Sequence, residues 1–343
     1  MRRFLLVLAL SCFSLACRAG SWSYGPSDTL YGDASRRVVA EDYEGLLKDA
    51  ERFQTRQERL PDGRWKLSVL FGGLRSGFAQ AAQDERDWAR QESALIALAT
   101  RHPTSSNAWL MLATMYDSQA WAVRGPGFSD TVSHEQYRRF RALLKQARAV
   151  LDGHRGSPEA NPQWYALRVD IAGAGGEGNG KLDAIFEDAL RVSPNYHETW
   201  FNRLNYLAPK WGGSVDQMLD LIAKSTRHAS ATDGTGLMAR LMWVGQDCGC
   251  IDLLAQPGID RAALRKSYDD VLDRFPVDFN AQHFVLQACA MGDKAETAHL
   301  LQRVSAAAPD IGEWQPTYER CRAWAVTKDR APLSRNPALG QRT

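Results

Sequence analysis

The sequence predicts an all-α chain of stacked helix pairs, and three observations carry that prediction. Four prolines (Pro103, Pro194, Pro276 and Pro309) share one register: a large apolar residue stands eight positions before each (Leu95, Phe186, Tyr268, Leu301) and a second apolar residue five before (Leu98, Ala189, Val271, Val304). Trp109 and Trp200 follow the first two prolines by six residues and open stripes of helical spacing, while strand-like alternation is never sustained. The last two prolines lie 33 residues apart, close to the ~34-residue tetratricopeptide period.

The chain opens with a segment that reads as a signal peptide, residues 1–17. Arg2 and Arg3 precede an apolar run from Phe4 to Ala16, too short to span a bilayer and suited to an exported leader. Ser14-Leu15-Ala16-Cys17 resembles a lipobox, which makes Cys17 a candidate lipidation site; cleavage after Ala16 or Ala19 is the alternative. Residues 18–38 read as a linker and 39–327 as a single helical-repeat domain. The end, 328–343, reads as a disordered tail.

Within the domain each proline ends a helix, because its ring removes an N–H and its predecessor resists helical angles. Polar caps then start the next helix: Asn195 with Glu198, Ser133 with Gln136, Ser214 with Gln217. Stripes follow at Trp109, Leu112, Ala113 and Tyr116, and again at Ala281, Phe284, Val285, Ala288 and Cys289. The wide intervals between prolines leave room for helices near 133–153, 161–172, 214–227 and 235–246. No helix of a pair can bury its stripe alone, so the pairs must stack as an α-solenoid with irregular repeats.

The 42 basic and 40 acidic residues give a net charge of +2, which becomes zero once Arg2 and Arg3 leave with the leader. A neutral chain without a concentrated basic face excludes nucleic acid as its main partner.

Three segments occur in order: Trp121-Ala122-Val123-Arg124-Gly125-Pro126-Gly127-Phe128, Pro209-Lys210-Trp211-Gly212-Gly213-Ser214, and Gln287-Ala288-Cys289-Ala290-Met291-Gly292-Asp293. Together they resemble the bacterial domain-of-unknown-function family numbered 4034, itself similar to tetratricopeptide proteins. The resemblance covers roughly 42–325 and implies the helical-repeat fold; it supplies no activity.

Chemistry-bearing motifs are sparse. Gly175 to Lys181 nearly matches a phosphate-binding loop, but Leu182 stands where Ser or Thr must hold magnesium, so the segment reads as a glycine-rich turn. His134-Glu135 and His197-Glu198 resemble halves of a zinc motif without the second His, and no metal or cofactor is expected. Cys248, Cys250, Cys289 and Cys321 form an even set for an oxidising compartment, with a disulfide joining the 248–250 loop to a helix; plain core thiols at Cys289 and Cys321 are the alternative. The residues most suited to a groove are Trp121 and Arg124 with Lys210 and Trp211. Each pair sets an indole beside a cation at a glycine-marked helix exit, an arrangement that also staples loops.

These features lead to an exported scaffold of the bacterial envelope, in the periplasm or at the outer membrane, that binds a protein or peptide. Membrane contact is expected only through a lipid on Cys17. The alternative is an envelope hydrolase or sugar-binding protein with a non-contiguous site. Two close carboxylates in a pocket would favour the enzyme.

Overall fold

The computed structural model describes residues 29–127, 129–154, 161–247, 251–308 and 311–327. Among the described residues there are fifteen α-helices and no strand. They run α1 (Thr29–Val39), α2 (Tyr43–Arg56), α3 (Lys66–Ala81), α4 (Glu85–Arg101), α5 (Ser106–Arg124), α6 (His134–Gly153), α7 (Pro162–Ala174) and α8 (Asn179–Val192). The second half holds α9 (His197–Tyr206), α10 (Val215–Ser225), α11 (Leu237–Asp247), α12 (Arg261–Arg274), α13 (Asp278–Ala290), α14 (Lys294–Leu301) and α15 (Gln315–Val326). No described helix is long and apolar enough to cross a membrane.

Every odd-numbered helix packs against the next odd-numbered one, from α1 to α15, and each even-numbered helix packs on one or both of its odd neighbours. Composition explains the two roles. Leu110 to Ala120 of α5 and Gln163 to Ala172 of α7 are buried without a break, as expected of helices covered on all sides. In α6 only Phe140, Leu144, Ala147 and Leu151 are buried, a single stripe that leaves the remaining faces to water.

The first three prolines act as their register predicts. Helices α4, α8 and α12 end two residues before Pro103, Pro194 and Pro276, and Leu95, Leu98, Phe186, Ala189, Tyr268 and Val271 are all buried. The fourth repeat departs from the pattern. Helix α14 stops at Leu301, leaving Leu301 and Val304 half-buried, and Pro309 lies outside the described residues.

Three expectations need correction. Residues 29–38, expected within a linker, belong to α1, whose Ala34, Ser35 and Val38 are buried. That stripe is small because α1 lies directly on two glycines of α3. A Cβ on Gly73 would fall 2.5 Å from the Tyr31 carbonyl oxygen, and one on Gly77 would fall 2.7 Å from the Val38 Cβ. Asn195 and Glu198 do not cap α9: the capping residue is Tyr196, which makes no side-chain cap bond. The box at Ser133 and Gln136 does form.

The third correction concerns the cysteines. Cys289 of α13 and Cys321 of α15 are bonded to each other, with Cα atoms 5.8 Å apart. The packing of α13 on α15 brings their stripes together, so neither helix cysteine is left to tie the loop. Cys248 and Cys250, like Cys17 and the tail, lie outside the described residues.

The connection between α2 and α3 is a tight hairpin. Arg59 bridges Trp65 in antiparallel fashion, and the Gly63 N–H donates to the Leu60 carbonyl at 2.9 Å. Pro61, Asp62 and Gly63 are the residues such a turn favours; Gly63 has φ +88°. The hairpin reaches far along the chain. Its Asp62 carbonyl accepts from Arg240 Nη2 at 2.5 Å and from Asn280 Nδ2 at 3.1 Å, and Trp65 Nε1 donates to the Asn195 carbonyl at 3.0 Å.

Candidate functional site

Four neighbouring central helices bring charged side chains to one place. Arg75 of α3 lies 3.0 Å (Nη2) from Asp117 Oδ2 on α5 and 2.9 Å (Nη1) from Asp170 Oδ2 on α7. Tyr206 at the end of α9 donates to Asp170 Oδ1 at 2.7 Å, and Gly173 of α7 leaves room for its ring. Glu198, on the first turn of α9, feels both the Asp170 carboxylate and the Arg75 guanidinium. It is half-buried, and neither a hydrogen bond nor an ion pair holds it among the described residues.

The electrostatics follow from burial. Asp117 is fully buried, and desolvation raises its pKa despite Arg75. Burial alone would lower Arg75, but Asp117 and Asp170 outweigh it and hold the guanidinium above its usual value. Desolvation and then the Asp170 charge push Glu198 up to about 8, against the opposing pull of Arg75. One cation therefore faces three carboxyl groups; Asp117 and Asp170 are ion-paired with it, and Glu198 is the one without an ion pair or hydrogen bond among the described residues.

An aromatic wall borders this cluster. The Trp121 and Trp211 rings meet edge to face at 6.3 Å, Trp211 lies 5.1 Å from Tyr206, and Arg75 stands 6.0 Å from the Trp121 ring centroid. The Trp121 N–H faces Asp117 without reaching hydrogen-bond geometry, and the Trp211 N–H is buried without an acceptor. Trp211 packs on both hydrophobic cores, one running from Ala34 to Tyr206 and the other from Phe186 to Trp324.

The four residues singled out from sequence are thus partly assembled. Trp121 and Trp211 touch, and exposed Lys210 stands on the Pro209–Trp211 turn beside them. Arg124 lies 5.4 Å from the Trp121 ring centroid, but its Nη1 donates to the Gly125 and Gly127 carbonyls at 3.1 and 3.0 Å. It staples the α5 exit. Sequence reasoning missed Arg75, Asp117, Asp170 and Tyr206, which share no local motif. Glu198, expected as part of a cap, belongs to this cluster instead.

A second buried polar cluster surrounds the hairpin. Asp233 Oδ2 accepts from Arg59 Nη2 at 3.0 Å, while His197 Nε2 lies 3.4 Å from Asp233 Oδ1. Burial lowers His197 to about 4, outweighing the pull of Asp233. Burial would raise Asp233, but His197 and Arg59 hold it well below the usual carboxylate range. Sequence reasoning missed this hairpin; the local signal that could have found it is the Pro61-Asp62-Gly63 tripeptide.

No protein-family model, curated protein or solved structure matches the chain. The family resemblance therefore rests on its three motifs. The described parts of these motifs, 121–127, 209–214 and 287–293, stand at the exits of α5, α9 and α13.

Proposed function

We infer that this chain is an exported helical-repeat scaffold, of the tetratricopeptide-like solenoid kind, that holds a protein segment against α3, α5, α7 and α9. Glu198 carries the reading. A half-buried carboxyl without a partner costs stability, and such groups persist where a ligand supplies the missing charge. The partner group complementary to Glu198 and Asp170 is a basic side chain or a terminal amine, with Trp121 and Trp211 as the apolar wall beside it. The Cys289–Cys321 bond supports an oxidising compartment, in keeping with the periplasm or outer membrane. Lipidation at Cys17 remains part of the proposal: labelled palmitate should enter the wild type and not Cys17→Ser.

The test is Glu198→Gln. A carboxyl raised to about 8 in the fold favours the folded state fully below its ordinary pKa, and this contribution fades as pH rises through 8. The amide lacks that dependence. Glu198→Gln is therefore expected to be more stable than wild type by on the order of 2 kcal/mol at pH 7.5, after allowance for partial solvent access, with the gap closing near pH 4.5. It should also lose capture of envelope segments that the tagged wild type retains. Unchanged capture by the stabilised variant would reject the reading.

One observation favours an enzyme as the second reading. A carboxyl that keeps its proton near neutrality is suited to general-acid work on an envelope polymer. In that case Glu198→Gln would still bind its ligand but would not turn it over.

A further inference from the structure

The hairpin between α2 and α3 makes its longest-range contacts with the second half of the chain. Its contacts reach residues 174, 178 and 218 positions away in sequence, and they are of the kind that recognises extended chain. Two donors from different helices, Arg240 of α11 and Asn280 of α13, converge on one backbone carbonyl, that of Asp62. A carboxylate, Asp233, takes a guanidinium, that of Arg59, which lies 3.6 Å from the Trp65 ring centroid. Arg64 lies over the Phe279 ring at 5.5 Å. A side chain on Gly63 would strike Arg240 and Phe275, at 2.5 and 2.7 Å. The fit is therefore to a turn with arginine before it and glycine within it.

Two of the receiving side chains, Asp233 and Asn280, are set without the hairpin, whereas Arg240 bonds to the hairpin itself. Asp233 is set by its own turn, where its N–H donates to Ser230 Oγ at 2.9 Å and Ser230 bridges Gly234. Asn280 is held independently by the Phe275 carbonyl at 3.0 Å. The apolar residues at the tip, Leu60 and Pro61, join neither hydrophobic core, whereas Trp65 at the base is buried in one of them. If closing the fold were the hairpin's sole task, apolar residues would serve better than a buried ion pair and shared carbonyls.

We propose that Asp233, Arg240, Phe279 and Asn280 form a peptide-binding site for an arginine-bearing tight turn, occupied in cis by residues 59–64, for which a partner segment of the same chemistry competes. The site is separate from Glu198, so either reading can fail without the other. Displacement needs no covalent step. The turn 59–64 swings out while Trp65 stays in the core, and the incoming turn takes over the Asp233 ion pair and the two carbonyl bonds.

The probe is a synthetic peptide of residues 57–66. It is added to the intact chain and to a chain whose residues 59–64 are replaced by a Gly/Ser linker. The replaced chain should bind it saturably, at least about a hundredfold more tightly than the intact chain, because the cis hairpin no longer competes. Adding Asp233→Asn to the replaced chain should weaken binding about tenfold or more, the usual scale for a charge-assisted bond. A folded replaced chain that binds the peptide no better than the intact one overturns the proposal. Native-state hydrogen exchange on the intact chain covers the case in which the replaced chain does not fold. The Gly63 and Lys66 amides, bonded to the Leu60 and Glu58 carbonyls, should exchange through local opening at least about a hundredfold faster than buried amides of α7 and α13. Exchange at the rate of those slowest amides would make the hairpin a permanent part of the fold and end the proposal.

Discussion

Arg75→Ala is expected to lower the stability of this protein by about 3–5 kcal/mol, because it leaves the fully buried Asp117 and its neighbour Asp170 without their shared cation. The loss should come from stranded charge more than from missing volume. Asp117→Asn in the Arg75→Ala background should therefore recover part of it, and a double-mutant cycle on urea midpoints isolates the coupling. Additive effects would show that Arg75 and Asp117 are energetically independent despite their contact.

Removing the Cys289–Cys321 bond should cost nearly as much. Its cysteines are 32 positions apart, and the chain-entropy model gives about 3.5–4 kcal/mol for a loop of that size. The pair Cys289→Ala and Cys321→Ala keeps the site apolar, which matters because both sulfurs are fully buried. The effect should fall first on α15, otherwise anchored mainly by Tyr318 and Trp324. Trypsin cleavage at Arg320 and Arg322 is thus expected to speed up well before the rest of the chain. Equal denaturation midpoints with and without reductant would remove the bond from the stability account.

The helical elements were legible because most of them obey a local rule. Proline positions fixed the ends of α4, α8 and α12, and the stripes of α5 and α13 announced themselves by spacing. Helix α1 escaped because Ala34, Ser35 and Val38 make too small a stripe to stand out; the glycines that receive it are 35 or more residues later. The site was legible only in its aromatic half. Trp121 and Trp211 stand beside glycine-marked exits, whereas Arg75, Asp117, Asp170 and Glu198 come from four helices and meet only through packing. Glu198 was misread for a physical reason: an acidic residue three positions after Asn is a good local cap, and tertiary burial overrode that preference. The disulfide partners share this character, since cysteine count bounds the pairing but helix packing chooses it.

The hairpin also sets an order of assembly. Neighbouring helices of this chain can pair as soon as they leave the ribosome, but the Asp62 carbonyl must wait for Asn280, 218 residues later. At ordinary synthesis rates that interval is roughly 10–40 s, and until Asp233, Arg240 and Asn280 have emerged in turn the hairpin lacks their contacts. Contacts so distant in sequence are slow to close even in the complete chain. The young hairpin is thus exposed for that interval, and its docking on Asn280 marks the moment at which α13 has arrived.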